Sequence, residues 1–237
     1  MMGLSRLEGK SEKLVIFGTG SFAEVAYYYL EKDSPYAVVA FTADRDLITE
    51  GEKFGLPVVP FEEVEKLYPP DRFKMFVAIA YSKVNKVREE KYYQAKEKGY
   101  ELISYICSKA IVWDNVEIGD NCFIFEANVI QPFVKIGNDV IIWSGNHIGH
   151  HSTIGDHCFI ASHAVISGHC KIEPYCFIGV NATIIDGRTI AKECIIGADA
   201  LIVKDTQKGG VYGGNPAKLL RTVYDKELKN IEGGEDK

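Results

Sequence analysis

The 237-residue sequence lacks the features that mark several broad classes of protein. No run approaches the about 18 uninterrupted apolar residues of a transmembrane helix, and the polar N-terminus lacks the apolar centre of a signal peptide. Lys and Arg total 27 against 33 Asp and Glu, so the formal net charge is −6 and no basic cluster stands out. Binding of nucleic acid through its phosphates is therefore not expected. We expect a soluble, cytoplasmic protein.

The sequence has six cysteines but no CxxC pair. Without that spacing, neither a disulfide framework nor a thiolate metal site is expected. Five of the six cysteines instead share one slot of the repeat described next, and we interpret them as small buried hydrophobic residues in a reducing compartment. These five are Cys122, Cys158, Cys170, Cys176 and Cys194.

The dominant feature that is present is an isoleucine or valine at every sixth position, without a slip, over seventeen positions. Neither an α-helix (period about 3.6) nor an ordinary strand (period about 2) produces this spacing. A left-handed parallel β-helix does, because each coil is a triangular prism and six residues complete one side. The aliphatic side chain then points inward, and residues three repeats apart stack in adjacent coils about 4.8 Å apart. The positions are Ile106, Val112, Ile118, Ile124, Ile130, Ile136, Ile142, Ile148, Ile154, Ile160, Ile166, Ile172, Ile178, Ile184, Ile190, Ile196 and Ile202.

Residues 13–105 have a different rhythm, in which short apolar strands alternate with helical stretches. This alternation predicts a small Rossmann-like parallel sheet. Strands are predicted at 13–17, 36–42, 56–59, 73–80 and 102–105, and helices at 23–30, 61–67 and 83–98. We therefore expect an α/β nucleotide-binding domain over 1–105 and a β-helix domain over 106–237. A C-terminal helix from Leu220 to Ile231 is expected to cap the open end of the β-helix.

A glycine-rich turn follows the first predicted strand, with Gly18 and Gly20 placed before a helix. This context fits a turn at which the backbone approaches a phosphate and the helix N-terminus favours its charge. Asp44, after the second strand, lies where an acidic residue meets a ribose or a base. About 90 residues are too few for a two-half dinucleotide fold, so the pattern favours a mononucleotide moiety over NAD. A tight turn without a ligand is the alternative.

All six histidines lie between positions 147 and 169. Four share one slot of the repeat, and only two of these, 18 positions apart, are expected to stack, so we expect no metal site within a single chain. His150 stands apart, because Gly168 follows it by 18 residues and lies beside it in the next coil. A histidine beside an exposed glycine N–H combines a general base with an oxyanion donor, which acyl transfer needs. The four that share a slot are His151, His157, His163 and His169. We interpret four histidines as surface or hydrogen-bonded residues: His147, His157, His163 and His169.

The repeat, the segment NHIGHHSTIGDH and the closing GGVYGGNPAKLL resemble the hexapeptide acyltransferases. More narrowly, residues 13–221 resemble the sialic-acid O-acetyltransferase-like family, which includes bacterial nucleotide-sugar N-acetyltransferases. The resemblance implies His150 as the catalytic base and Gly168 as the oxyanion amide. For the substrate nucleotide it implies Gly18, Gly20, Ser21, Phe22, Ala43, Asp44, Ala80 and Tyr81. For acetyl-CoA, in a channel between adjacent β-helices, it implies Gly179, Gly197, Ala198, Gly214 and Lys218.

Two positions depart from the family's pattern. Members often have an acidic residue directly after the catalytic histidine, and this chain has His151. The carboxylate that orients the base is therefore missing locally. The loop has Ser21 and Phe22 after Gly20 where relatives often have Gly-His, which bears on the choice of nucleotide.

The resemblance implies an acetyl-CoA-dependent N-acetyltransferase that acts on a nucleotide-linked 4-amino-4,6-dideoxy sugar in surface-glycan, for example lipopolysaccharide, biosynthesis. It would act as a homotrimer with sites between subunits. One alternative is a sugar O-acetyltransferase of the sialic-acid or polysaccharide type. Another is a non-catalytic scaffold or a carbonic-anhydrase-like protein with zinc shared between subunits. The nucleotide-type loop favours the first reading.

Overall fold

The computed structural model describes residues 10–225 and divides them into two compact units. The first unit comprises 10–79 and 90–105, and the second comprises 80–89 and 106–225. Within 10–225, no helix is both long and apolar enough to cross a membrane. The assignment of 1–105 to nucleotide binding and of 106–237 to acyl transfer stays a prediction.

The first unit is built on a five-stranded sheet in the order β3-β4-β2-β1-β5. All neighbouring strands are parallel except β3 and β4, which form an antiparallel pair. Two short 3₁₀ helices, Arg45–Leu47 and Phe61–Glu63, lie in the connections. The elements are β1 (Glu12–Phe17), α1 (Ser21–Asp33), β2 (Tyr36–Ala43), β3 (Glu52–Lys53), β4 (Leu56–Pro60), α2 (Val64–Leu67), β5 (Lys74–Val77) and the part of α3 (Lys86–Glu97) from residue 90 onward. The first four residues of α3 belong to the second unit.

The core of this unit follows from the apolar pattern of its strands and helices. Helix α1 buries Ala23, Ala26 and Leu30, which share one face at helical spacing. The predicted elements are confirmed in kind, with one exception. The expected strand at 102–105 is reduced to a single bridge between Met75 and Leu102 in this unit.

The second unit is the left-handed parallel β-helix that the six-residue repeat predicts. Its strands form three sheets of six, five and eight strands. All neighbouring strands are parallel except the last strand of the eight-stranded sheet, which is antiparallel to its neighbour. Seventeen two-residue strands, β6 to β22, each end on one of the seventeen aliphatic positions. They are Tyr105–Ile106, Ile111–Val112, Glu117–Ile118, Phe123–Ile124, Val129–Ile130, Lys135–Ile136, Ile141–Ile142, His147–Ile148, Thr153–Ile154, Phe159–Ile160, Val165–Ile166, Lys171–Ile172, Phe177–Ile178, Thr183–Ile184, Thr189–Ile190, Ile195–Ile196 and Leu201–Ile202.

Residues 18 apart pair in register, so the aliphatic side chains stack along the axis. Ile130, Ile148 and Ile166 are successive partners and are fully buried. At the N-terminal end the interior is less covered, and Ile106 is 41% exposed. The position of a residue in one coil therefore determines which residue lies beside it in the next coil, 18 positions later. This register places the residues of the candidate site next to one another.

The corners of the prism use a left-handed backbone conformation once every six residues, from Asn121 to Asp199. Only Gly145 and Gly187 fill this slot with glycine. Asn, Asp and His adopt this conformation more readily than other side chains. Four histidines occupy the slot at φ between 56° and 61°, which gives them a structural role: His151, His157, His163 and His169.

The C-terminal end is closed by strands instead of the start of a helix. Strand β23 (Gly210–Gly213) continues the eight-stranded sheet in parallel, and β24 (Lys218–Thr222) pairs antiparallel with it. The predicted helix is wrong at its first turn, because Leu220 lies in β24. A strand satisfies the open backbone groups of the last coil, which a helix does not. The remainder of that prediction, 226–231, lies outside the described residues.

Candidate active site

His150 lies at the corner between β13 (His147–Ile148) and β14 (Thr153–Ile154), with its ring exposed. Its backbone N–H donates to Gln131 Oε1 (2.9 Å), and its carbonyl accepts from His169 N–H (2.9 Å). These bonds to the preceding and following coils fix the corner. The ring is therefore presented to solvent from a rigid backbone, as a reacting group requires.

The structure brings His150 and Gly168 together. A Cβ added to Gly168 would lie 2.8 Å from His150 Cε1 and 2.9 Å from His150 Nε2. Only a glycine leaves room for the imidazole in its observed position, since real Cβ contacts are longer than this. Glycine at position 168 is therefore required for steric reasons, in addition to the role in oxyanion binding that the resemblance implies for its N–H.

The Gly168 N–H, which the resemblance assigns to the oxyanion, donates to Asp186 Oδ1 at 3.0 Å. Asp186 is exposed and lies one coil further along the same column, so His150, Gly168 and Asp186 succeed one another at intervals of 18 residues. Its carboxylate must turn away before this amide can bind an oxyanion. Sequence reasoning missed Asp186, although the 18-residue spacing from Gly168 was a signal that could have found it.

His151 stands where related enzymes often have a carboxylate, and it contacts His150 directly. The two Nδ1 atoms are 3.2 Å apart. The His151 ring is held by stacking on His169 (centroids 4.9 Å apart) and by contact with Phe133 (4.6 Å). His151 is therefore the group in the described chain that is placed to orient His150.

Three imidazoles meet at this corner. The His150 ring stands at 87° to both others, with centroids 5.3 Å from His151 and 5.0 Å from His169. The expected stacking of His151 on His169 is confirmed. The expectation of no metal site within a single chain considered only the four histidines of the shared slot. It left out His150, which directly precedes His151.

Two of the other histidines, His157 and His163, lie outside this cluster and have different contacts. His157 is buried, its Nδ1 lies 2.8 Å from Asp139 Oδ2, and its ring stacks on Tyr175. His163 is exposed, and its ring lies over Gly145, where a Cβ would come within 2.7 Å of it. The interpretation of these two as surface or hydrogen-bonded residues fits both environments.

The cysteines do not supply a nucleophile. All six are free and buried. Burial raises the thiol pKa of Cys170, Cys176 and Cys194, which disfavours the reactive thiolate. The buried cysteines are therefore unsuited to form an acyl-enzyme intermediate.

In the first unit, the glycine-rich turn lies directly before the N-terminus of α1. Gly18 has φ +116°, and a Cβ there would lie 2.7 Å from the Ala78 carbonyl oxygen. Gly20 is the N-cap of α1 in extended conformation, and Ser21 and the buried Phe22 form the first helical turn. The positive end of a 13-residue helix therefore begins directly after the turn.

The other residues assigned to the nucleotide divide between the two units. Ala43 ends β2, and Asp44 follows it with Oδ1 2.7 Å from Lys91 Nζ, a pairing that the sequence did not indicate. Ala80 and Tyr81 belong to the second unit. There the half-exposed Tyr81 ring packs on two phenylalanines, Phe159 and Phe177.

The residues assigned to acetyl-CoA lie at another corner of the β-helix. Gly179 and Gly197 are one coil apart, and a Cβ on Gly179 would lie 2.7 Å from Ala198 N. Gly214 (φ +92°) and Lys218 are exposed in the closing hairpin. The chain passes from the Gly179 corner through one strand of the six-stranded sheet before it reaches the next corner, that of Asp186. That sheet therefore lies between the two groups of residues.

Replacing Gly168 with alanine is expected to abolish most activity without unfolding the protein. The added methyl group displaces the His150 ring, which is exposed and free to turn, instead of displacing backbone. Turnover and thermal unfolding measured together test this. Gly51→Ala is the control, because nothing lies within 4 Å of its Cβ position. Full turnover in Gly168→Ala would contradict the assigned position of His150.

Comparisons with known proteins agree with this architecture. Residues 13–106 match the PglD N-terminal domain, and residues 128–168 match the bacterial transferase hexapeptide (six repeats). No curated protein matches the chain in sequence.

Among solved structures, the chain resembles the acetyltransferase domain of PglB from Neisseria gonorrhoeae FA1090, with 26% identity and a TM-score of 0.81 over 89% of this chain and 100% of that one. It also resembles PerB from Caulobacter crescentus, solved with CoA and GDP-perosamine, with 26% identity and a TM-score of 0.78 over 87% and 96% of the two chains. WeeI from Acinetobacter baumannii AYE shares the fold at 24% identity, with a TM-score of 0.77 over 89% of this chain and 100% of that one. The chain therefore contains one region that matches the PglD N-terminal domain and one that matches the bacterial transferase hexapeptide, it folds into a left-handed β-helix, and it is an acyltransferase.

Proposed function

We propose that the protein transfers the acetyl group of acetyl-CoA to the amine of a nucleotide-linked 4-amino-4,6-dideoxy sugar, in surface-glycan biosynthesis. Two similar structures support the class of reaction: PerB, solved with CoA and GDP-perosamine, and a perosamine N-acetyltransferase variant from the same organism. The column of His150, Gly168 and Asp186 carries the proposal within this chain.

His150 acts as the general base. When it carries its proton on Nδ1 and donates to His151 Nδ1, its Nε2 is left to accept a proton above Gly168. The acceptor amine attacks the thioester carbonyl as Nε2 takes its proton. The tetrahedral intermediate then collapses to the amide, and the CoA thiolate leaves and recovers that proton. His151 is a positioning residue in this scheme, because it fixes the tautomer and does not touch the substrate.

Replacing His151 with aspartate is expected to raise kcat about two- to fivefold over the asparagine variant. A charge-assisted hydrogen bond stabilises the protonated base more than a neutral one does, and the gain at an exposed position is modest. Both substitutions tolerate the left-handed backbone at this corner, where φ is 59°. Steady-state turnover over a range of pH is the measurement. An aspartate variant slower than the asparagine variant would show that this position does not orient the base.

Asp186 favours an amine over a hydroxyl as acceptor. Its Oδ1 lies 3.3 Å from the Cβ position of residue 168, and His150 Nε2 lies 2.9 Å from the same point. An aliphatic amine arrives mainly as an ammonium ion, which a carboxylate beside the base attracts. The ammonium ion releases one proton to solvent before the neutral amine attacks, so His150 takes only the proton that is lost during the attack. Binding of the ammonium by Asp186 also draws its carboxylate away from the Gly168 N–H, which then becomes available to the oxyanion. A hydroxyl gains nothing from this charge.

Replacing Asp186 with asparagine is expected to raise KM for the amino sugar about tenfold, because the amide keeps an acceptor for Gly168 N–H but loses the charge. Thermal stability should stay the same. Asp156→Asn is a matched control, since Asp156 accepts a corner N–H from Asn138 (2.7 Å) in another column. An unchanged KM in the Asp186 variant would remove this argument for an amine acceptor.

The remaining assignments are parts of the same proposal. The turn from Gly18 to Phe22 binds the nucleotide phosphates, with Ala43, Asp44, Ala80 and Tyr81 as further contacts. Gly179, Gly197, Ala198, Gly214 and Lys218 line the path of acetyl-CoA between neighbouring β-helices of a homotrimer. The free, buried cysteines support a reducing compartment such as the cytoplasm. Light scattering at working concentration tests the trimer, which a monomer would contradict.

The experiment that tests this function is thiol release from acetyl-CoA with a panel of UDP-, dTDP- and GDP-linked 4-amino sugars. Turnover on one member supports the proposal and names its nucleotide. Silence across the panel, with turnover on sialic acid or another hydroxyl sugar, would move the assignment to an O-acetyltransferase.

A further inference from the structure

The three imidazoles at the candidate active site form a cluster with the composition of a transition-metal site. His150, His151 and His169 each offer one ring nitrogen, and these nitrogens all lie within 4.8 Å of one another. All three side chains are exposed. We propose that this cluster binds a divalent transition-metal ion of zinc type, and that the bound ion inhibits the enzyme.

The backbone holds the ligands in place before any ion arrives. His151 and His169 occupy equivalent corners of adjacent coils, at φ 59° and 56°, and their rings are stacked at an interplanar angle of 17°. His150 adds a third ring at a right angle, with its Nδ1 3.2 Å from His151 Nδ1. A separation of this size is that of neighbouring ligands about 2.0–2.1 Å from one zinc ion. The third nitrogen, within 4.8 Å of the others, belongs to the exposed ring of His169, which can turn toward the same ion.

The donor set selects the kind of ion. Three neutral imidazoles with an open fourth position suit Zn²⁺, Co²⁺, Ni²⁺ or Cu²⁺, whereas Mg²⁺ and Ca²⁺ need oxygen ligands. The neighbouring carboxylate, Asp186, already accepts the Gly168 N–H. The site therefore discriminates against the hard, abundant cations.

The inhibitory effect follows from the identity of one ligand, and it rests on the proposed function. His150 is the proposed base, and an imidazole nitrogen that coordinates a metal cannot accept a proton or keep the tautomer that the base requires. With His151 in place of the usual acidic neighbour, the donor set consists of three neutral imidazoles. Zinc should therefore act as a reversible inhibitor that a chelator removes.

The experiment measures Zn²⁺ affinity of chelator-treated, full-length protein by competition with a chromophoric chelator. The variant His169→Asn removes one ligand and keeps the left-handed corner, and His163→Asn makes the same change at an exposed corner outside the cluster. We expect one Zn²⁺ per chain, an affinity at least about tenfold lower in His169→Asn, and an unchanged affinity in His163→Asn. Co²⁺ should give the intense visible absorption of a four-coordinate site, and Mg²⁺ should not compete.

Failure of this inference is distinguishable from failure of the proposed function. Equal zinc affinity in wild type and His169→Asn, or no binding at micromolar zinc, overturns the metal site whatever the enzyme does. Zinc binding that weakens in His169→Asn supports the metal site even if no acceptor sugar is turned over. If an acceptor is found, zinc should suppress wild-type turnover and EDTA should restore it. Full turnover with the site saturated would overturn the inhibitory role.

Discussion

Replacing His150 with alanine is expected to lower kcat about 10²–10⁴-fold, the range that loss of a general base produces. The ring is exposed, so its loss should leave the unfolding midpoint close to that of the wild type. KM for acetyl-CoA should change little, because the residues assigned to acetyl-CoA lie at a different corner. Steady-state kinetics with both substrates varied is the measurement.

The control for this prediction is His163→Asn, which alters another exposed histidine in the same coil region and should leave kcat within about twofold of the wild type. A His150→Ala variant with wild-type turnover would contradict the base assignment. A loss of activity accompanied by a large fall in the unfolding midpoint would instead assign His150 a structural role.

Replacing the buried Arg88 with methionine is expected to lower the free energy of unfolding by about 3–5 kcal/mol. Arg88 and Asp139 are both fully buried, with Arg88 Nε 3.0 Å from Asp139 Oδ2. The two terminal guanidinium nitrogens donate to four more acceptors, so five hydrogen bonds match the five N–H donors. These four acceptors are the carbonyl oxygens of Ala80, Asp139 and Cys158 and the side chain of Asn85. The methionine variant leaves the Asp139 charge buried without this partner.

Urea unfolding at a fixed protein concentration measures this loss. Arg88→Lys keeps the charge but loses the planar fork, and it should fall between the wild type and Arg88→Met. Asp139→Asn fits the left-handed corner at φ 56° and removes the partner charge. The double variant Arg88→Met/Asp139→Asn should therefore be more stable than the sum of the single losses predicts, by about 0.5–3 kcal/mol. A loss below about 1 kcal/mol in Arg88→Met would contradict this account of the network.

The β-helix was predictable to the residue because its signal is periodic and long. Each coil buries one aliphatic side chain per side. An insertion or deletion of one residue would therefore have interrupted the six-residue spacing in the sequence. Five of the six cysteines share one slot of the repeat and were assigned to burial on the same register, and their burial is confirmed. The pairing of His150 with Gly168 follows from the same 18-residue arithmetic.

The parts that sequence reasoning missed depend on side-chain contacts without a periodic signal. Arg88 lies in a charged helical segment that reads as a solvated face, and nothing in that segment indicates a buried partner in the β-helix. The Gly168–Asp186 bond was accessible from spacing, but an aspartate at a corner has a sufficient reason in its backbone conformation. The closing hairpin was missed because the spacing of Leu220 and Tyr224 fits a helix, whereas the open edge of the last coil favours a strand.

The most direct test of the central claim is the chemical nature of the product. The sugar that supports thiol release is incubated with isotopically labelled acetyl-CoA and the enzyme. The mass of the product is recorded before and after treatment with alkaline hydroxylamine, which cleaves acetyl esters and spares amides. The account predicts a gain of one labelled acetyl group that survives the treatment and that His150→Ala adds about 10²–10⁴-fold more slowly. A label that hydroxylamine removes would contradict N-acetylation and establish a hydroxyl as the acceptor.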